Sequence, residues 1–203
     1  KEFSIHSVFT NSDYEPYARI RDQAIEKLLN ANQISFHSFK DHVLLEKSEV
    51  VKSDGKPYTV FTPYKNRYLS VFDSGHIRTY SIEKKASNFL KLNNQKLPTL
   101  EDIGFQSFEF PFPKKTVSKD ILRKYKEQRD YPSLDGTSRI SVHLRFGTVS
   151  IREVAAMALN EKSETWLNEL IWREFYIQIL YHFPRVAKTS FNPSLANIPW
   201  RNN

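Results

Sequence analysis

The periodicity of the chain changes once, and that change limits its fold more than any other feature. Residues 1–45 alternate short apolar runs with one long amphipathic stretch, whereas everything from Lys119 onward carries helix signals only. Ile5-His6-Ser7-Val8-Phe9 reads as a strand that ends in the polar loop Thr10-Asn11-Ser12-Asp13. Glu15-Pro16 opens a helix, because proline has no N–H to lose in a first turn. Ile20, Ala24, Ile25, Leu28 and Leu29 give that helix an apolar stripe. Ile34-Ser35-Phe36 and Val43-Leu44-Leu45 read as further strands, and Ser53-Asp54-Gly55-Lys56 as a turn. A strand–helix–strand succession belongs to a parallel α/β sheet, and a complete doubly wound domain needs more strands before residue 1. The chain is therefore expected to be a piece of a longer protein, and its opening on Lys1 instead of Met agrees with that.

Between Val71 and Pro113 the pattern weakens, punctuated by Asn93-Asn94-Gln95-Lys96-Leu97-Pro98 and Pro111-Phe112-Pro113. Connections of that length usually link domains or carry function. The expected organisation is α/β followed by all-α, with an α/β part over 1–72, a linker over 73–113 and a helical part over 114–203. In the last of these, a helix over Lys119–Gln128 ends before Pro132. Ser150-Ile151-Arg152-Glu153 has the form of a capping box opening a helix over Ile151–Asn160. Thr165 is placed to cap a long helix through Trp166–Phe183 that stops before Pro184.

Composition narrows the chemistry. With no cysteine, a disulfide scaffold, a Cys-ligated metal or cluster and a Cys nucleophile are excluded. No apolar run free of charge is long enough to cross a membrane: Leu167–Leu180 is interrupted by Glu169, Arg173 and Glu174. The net charge of +7 is uneven. Residues 1–113 hold 15 Lys+Arg against 14 Asp+Glu and residues 114–203 hold 15 against 9, so +6 of the excess lies in the helical part. Concentrated basicity suits an anionic partner, nucleic acid first, and suits equally a solvated basic face.

Three groups of residues could carry chemistry. On the last helix Glu169, Trp172, Arg173 and Tyr176 fall at i, i+3, i+4 and i+7 and share a face, while Leu167, Leu170, Ile171 and Phe175 point largely elsewhere. A carboxylate, an indole, a guanidinium and a phenol together can stack on and hydrogen-bond a planar ligand. The same stripe also suits a half-buried indole beside a surface Glu169–Arg173 pair. Gly136-Thr137-Ser138-Arg139-Ile140-Ser141 sets three hydroxyls and several N–H groups before a short helix ending near Gly147, either a phosphate seat or an ordinary cap. Tyr125 and Arg129 stand one turn apart upstream, as surface residues or as an aromatic and a cation beside a phosphate backbone. The six histidines show no metal-ligand spacing, and no metal is expected.

These residues resemble a known family. Asp135-Gly136-Thr137-Ser138-Arg139-Ile140-Ser141-Val142-His143-Leu144-Arg145-Phe146-Gly147 looks like the flavin phosphate segment of the DNA photolyase/cryptochrome family. Trp166-Leu167-Asn168-Glu169-Leu170-Ile171-Trp172-Arg173-Glu174-Phe175-Tyr176 resembles its most distinctive helix. Asp13-Tyr14-Glu15-Pro16-Tyr17-Ala18-Arg19-Ile20-Arg21-Asp22 and Val60-Phe61-Thr62-Pro63-Tyr64 are similar to the end of its α/β antenna domain. Within the family the helix is most similar to class I enzymes that act on cyclobutane pyrimidine dimers.

The resemblance implies a fold, a cofactor and a reaction. The chain would be the C-terminal part of the antenna domain, a long linker and the first helices of the FAD-binding domain. Reduced FAD would pass an electron under blue light to a pyrimidine dimer flipped out of UV-damaged DNA. By the same resemblance Tyr125, Thr137, Ser138, Arg139, Ile140, Ser141 and Trp166 would bind FAD. Arg129 would contact DNA, Glu169 would hydrogen-bond the dimer, Trp172 would stack on it, and Arg173 through Tyr176 would complete the DNA-facing segment. Trp200 is similar to the outermost tryptophan of the chain that photoreduces the flavin. Tyr17 and Ala18 do not match the folate-antenna positions of some relatives, so a second antenna chromophore is implied without its identity. A cytoplasmic monomer, inactive as this fragment, is expected. The competing expectations are a cryptochrome-like photoreceptor without repair and a basic DNA-binding module without flavin.

Overall fold

A computed structural model describes residues 3–91, 96–106, 109–199 and 201. Two strands, β1 (Ser7–Asn11) and β2 (Ser35–Phe39), pair in parallel with Ser7 opposite Ser35 and Asn11 opposite Phe39. Parallel neighbours need a crossover, and α1 (Pro16–Ala31) supplies it, with Pro16 in its first turn. Asp13 prepares that start: its Oδ1 accepts from the Tyr14 and Glu15 N–H groups at 2.6 and 3.1 Å. β1 continues through Thr10 and Asn11, where a loop was expected, because main-chain pairing with Ser38 and Phe39 outweighs side-chain polarity.

Val43-Leu44-Leu45 is not a strand. All three residues are buried, and the N–H groups of Leu44 and Leu45 donate to the Glu174 carboxylate at 2.6 and 3.1 Å. A side chain thereby satisfies the donors that a neighbouring strand would have taken. The stripe on α1 also departs from expectation. Ala18 is its buried residue, while Ile20 and Leu28 are 68% and 65% exposed and no described element covers them.

The remaining helices are α2 (Phe61–Val71), α3 (Lys119–Gln128), α4 (Ser141–Arg145), α5 (Ile151–Asn160) and α6 (Glu164–His182). The bounds of α3 and α5 are those the sequence suggests, but the caps differ. Ser150 has the extended backbone of an N-cap without a side-chain cap bond. Ser163, not Thr165, precedes α6, and its hydroxyl donates to the Leu122 carbonyl at 2.5 Å, tying α6 to α3. Among the described residues between α2 and α3, short 3-10 turns at Ser74–Ile77, Glu83–Asn88 and Glu101–Ile103 are the regular elements.

One core joins the two parts. Leu44, Val50, Tyr64 and Tyr68 belong to the same buried cluster as Leu122, Val154, Ile171 and Phe175. α6 lies at its centre, packed on α2, α3 and α5. Each fully buried aliphatic side chain there, such as Ile171, contributes roughly 1.5–3 kcal/mol of apolar burial. Trp200 and Asn93–Gln95 lie outside the described residues.

Candidate functional site

Gly136 lets the hydroxyl-rich segment reach α6. A Cβ there would stand 2.7 Å from Gln128 Cβ and 3.0 Å from the Gln128 carbonyl oxygen, so only glycine lets the chain double back against the end of α3. Thr137 to Ser141 then run beside Tyr125. Within this segment Arg139 adopts a left-handed backbone, φ 50°, uncommon for a residue with a Cβ. Its guanidinium pairs with Asp135 at 2.9 Å.

A cavity of about 620 Å³ opens between this segment, α6 and the residues around the start of α1. Its volume is ordinary for a small-molecule site, which usually measures about 300–1,000 Å³. Tyr125, Thr137, Ser138, Arg139, Ile140, Ser141 and Trp166, drawn from three stretches of sequence, all line it. Glu169, Arg173 and Tyr176 line it as well. Trp166 is buried, whereas the hydroxyls of Thr137, Ser138 and Ser141 have no hydrogen-bond partner among the described residues. Polar groups that converge without partners are free to bind something else.

The helical stripe is divided rather than continuous. Glu169 pairs with the Arg129 guanidinium across the α3–α6 junction, not with Arg173 one turn on. That carboxylate holds the Arg129 guanidinium above its ordinary range. Arg129 also sits 5.4 Å from the centroid of the Tyr125 ring, whose hydroxyl is pushed up by burial first and by Glu169 second. Neither Arg129 nor Trp172 lines the cavity. The Trp172 indole stacks on Phe61, centroids 3.5 Å apart and planes 7° from parallel, and lies 5.5 Å from the Tyr176 ring.

Two residues inside the segment expected to face DNA point inward instead. Phe175 and Glu174 are buried, 5% and 2% exposed. Burial pushes the Glu174 carboxyl up to about 7, against the opposing pull of the Leu44 and Leu45 amides. Arg173 is half-buried and donates to the carbonyls of His42 and Leu144 at 2.8 and 3.2 Å.

Reading the sequence alone missed the far wall, formed by Asp13, Tyr14, Glu15, His42 and Arg145. Asp13–Tyr14–Glu15 ahead of Pro16 offered the signal of a helix start, and Arg145 lay in the segment that resembles a flavin phosphate site, but neither was given a role in a wall. His42 is pushed below its ordinary range, by burial first and by Arg173 second, and its Nε2 is buried without a partner. The Tyr14 hydroxyl is held protonated by burial and by a hydrogen bond to Glu46.

Comparison with known proteins adds an independent line. Residues 1–84 match the family model for DNA photolyase, and residues 166–203 match that for the FAD binding domain of DNA photolyase. A deoxyribodipyrimidine photo-lyase of Alkalihalophilus pseudofirmus is 30% identical, with 97% of this chain and 44% of the relative aligned. The Escherichia coli enzyme of the same name is 29% identical over 100% of this chain and 46% of its own. The crystal structure of a bacterial class III photolyase from Agrobacterium tumefaciens superposes with a TM-score of 0.70 at 25% identity, covering 99% of this chain and 46% of that one. An archaeal photolyase from Sulfolobus tokodaii, solved with two FAD molecules, shares the fold with a TM-score of 0.67 at 23% identity, covering 98% and 44%. The chain therefore spans less than half the length of these relatives.

Proposed function

The chain belongs to the DNA photolyase/cryptochrome family, and on that premise we propose that it carries the flavin-phosphate seat and the dimer-facing helix of a light-dependent DNA repair enzyme. The proposed substrate is a cyclobutane pyrimidine dimer in UV-damaged DNA. The supporting observation is the cavity itself, which gathers Tyr125, Thr137–Ser141, Trp166 and Glu169 from three stretches that together span more than 40 positions. The division into an α/β part to residue 72, a linker to 113 and a helical part beyond belongs to the same proposal, as does a second, light-harvesting chromophore.

The residues present fit FAD. Unpartnered hydroxyls at Thr137, Ser138 and Ser141 suit phosphate oxygens, and Trp166 and Tyr125 offer aromatic surface to a planar ring. When bound in its reduced form, FAD would supply one electron, lent under blue light, that opens the cyclobutane ring and is then returned. The protein's own work is to bind, orient and exclude water. Glu169 accepts hydrogen bonds from the base edges of a flipped dimer, and Arg129, its partner here, turns to the phosphate backbone. Tyr176, 62% exposed, and Trp172, backed by Phe61, form the aromatic wall. The basic helical part attracts DNA in a salt-dependent way. By itself this chain, less than half the length of its relatives, binds without repairing.

The test has two parts. After incubation with FAD and removal of free flavin, the chain should keep a protein-shifted visible absorption band. In the full-length protein Glu169→Ala should lower dimer repair by about tenfold or more, the worth of a hydrogen bond to a charged group, while flavin photoreduction survives. Undiminished repair in that variant overturns the role of Glu169. Photoreduction without dimer splitting in the unsubstituted protein would make it a photoreceptor.

A further inference from the structure

Three guanidinium groups border the cavity, and two of them are committed. Arg139 is paired with Asp135 at 2.9 Å. Arg173 gives both terminal nitrogens to main-chain carbonyls, those of His42 and Leu144. Arg145 is different. Its side chain is 53% exposed, its nearest carboxylate oxygens are Asp13 Oδ2 at 3.6 Å and Glu15 Oε1 at 4.0 Å, and no described group accepts a hydrogen bond from it.

Position makes that loose pairing useful. Arg145 lies one turn after Ser141 on α4, so an unpartnered hydroxyl and a guanidinium held only by two long ion pairs share one face of the helix. Nearby stands the half-buried Arg173, and like charges at such a distance disfavour one another; the Arg173 guanidinium is depressed by burial first and by Arg145 among its neighbours. An anion seated against Arg145 would relieve this repulsion. A phosphate is the best match, since its oxygens can accept two parallel N–H bonds from one guanidinium.

We propose that Arg145 binds the phosphate groups of the dinucleotide cofactor in this cavity, alongside the hydroxyls of Ser138 and Ser141, and that Glu15 opposes this binding by competing for the same guanidinium. The inference rests on the flavin reading above. A DNA phosphate has the same chemistry, but Arg145 lines a concave site of small-molecule size, which favours the cofactor.

Equilibrium binding separates these sources. FAD, riboflavin (the same ring without phosphate) and a short oligonucleotide are titrated into the chain and its Arg145→Ala and Glu15→Gln variants. Arg145→Ala should weaken FAD about tenfold and leave riboflavin and the oligonucleotide within about twofold. Glu15→Gln, which removes a carboxylate that makes no hydrogen bond through its side chain, should tighten FAD by about twofold to threefold at low salt. Equal loss of both flavins would make Arg145 merely structural. Unchanged FAD binding, or loss of the oligonucleotide alone, would overturn its role and leave the flavin reading standing. If the unsubstituted chain binds neither flavin, the flavin reading of this chain fails and this proposal with it.

Discussion

α1 and α6 invert what their sequences suggest. α1 carries the cleaner apolar stripe, yet its buried residue is Ala18 and most of the stripe faces solvent. α6 mixes polar and apolar side chains around its circumference, yet eight of its 19 residues are buried, and Glu174 and Gln178 are among them. The difference lies in what meets each helix. An apolar stripe reports that a face needs cover, not that cover is nearby. A buried polar residue reports that main-chain groups need partners, and residues 42–50 form no sheet to supply them. Arg173, Glu174, Gln178 and His182 meet that need by bonding the main chain at His42, Leu44 and Leu45, Val50 and Lys47.

The sharpest way to break this contrast is to remove one of those polar side chains. Glu174→Ala strands two buried N–H groups and should cost about 4 kcal/mol, since each unsatisfied buried donor costs about 1–3 kcal/mol. Urea unfolding of the variant would measure it. A loss no larger than that from an exposed helical position would mean that water serves Leu44 and Leu45 as well as Glu174 does.

Acidity should report the same carboxyl. Burial raises it from an ordinary 4.5 to about 7, so the folded chain holds that proton more tightly than the unfolded one. Its contribution to stability is therefore complete below about pH 4.5 and is lost as pH rises through about 7. A shift of this size corresponds to at most about 3.5 kcal/mol, at roughly 1.4 kcal/mol per pH unit. Glu174→Gln cannot titrate, so its unfolding midpoint should change less between pH 5 and 8 than that of the unsubstituted chain. Parallel profiles would assign the dependence to other groups.

What the sequence made legible follows the same division. Where a helix packs through an ordinary periodic face, as in α3 and α5, its bounds could be read directly. Part of the cavity lining was legible too, because Thr137–Ser141 and Trp166 sit in long motifs. α2 was not read as a helix, because Val60-Phe61-Thr62-Pro63-Tyr64 entered only as a motif, although proline is tolerated where a helix begins. Asp13 and Glu15 escaped as wall residues because no local pattern says that the start of α1 folds over a cavity built more than 100 residues later, and Arg145 escaped because its segment was read through the residues up to Ser141. The role of Glu174 was hidden for a related reason: its partners are the amides of Leu44 and Leu45, which every residue except proline carries, so composition gives no hint of them.

The smallest expected effect tests the other half of the comparison. Ile20 and Leu28 are apolar, in register and mostly exposed, so replacing either with glutamine removes little contact and keeps a residue that helices tolerate. Each change should alter stability by less than about 0.5 kcal/mol, as is usual for surface substitutions. The double variant should be additive, because eight helical positions, about 12 Å at roughly 1.5 Å per residue, separate the two side chains. Losses above about 1.5 kcal/mol in Leu28→Gln would mean that the stripe is covered in solution, and α1 would then be a core helix of the same kind as α6. Near-neutral values, set beside a large loss in Glu174→Ala, would establish that a polar side chain on a mixed face stabilises this fold more than an apolar one on a clean stripe.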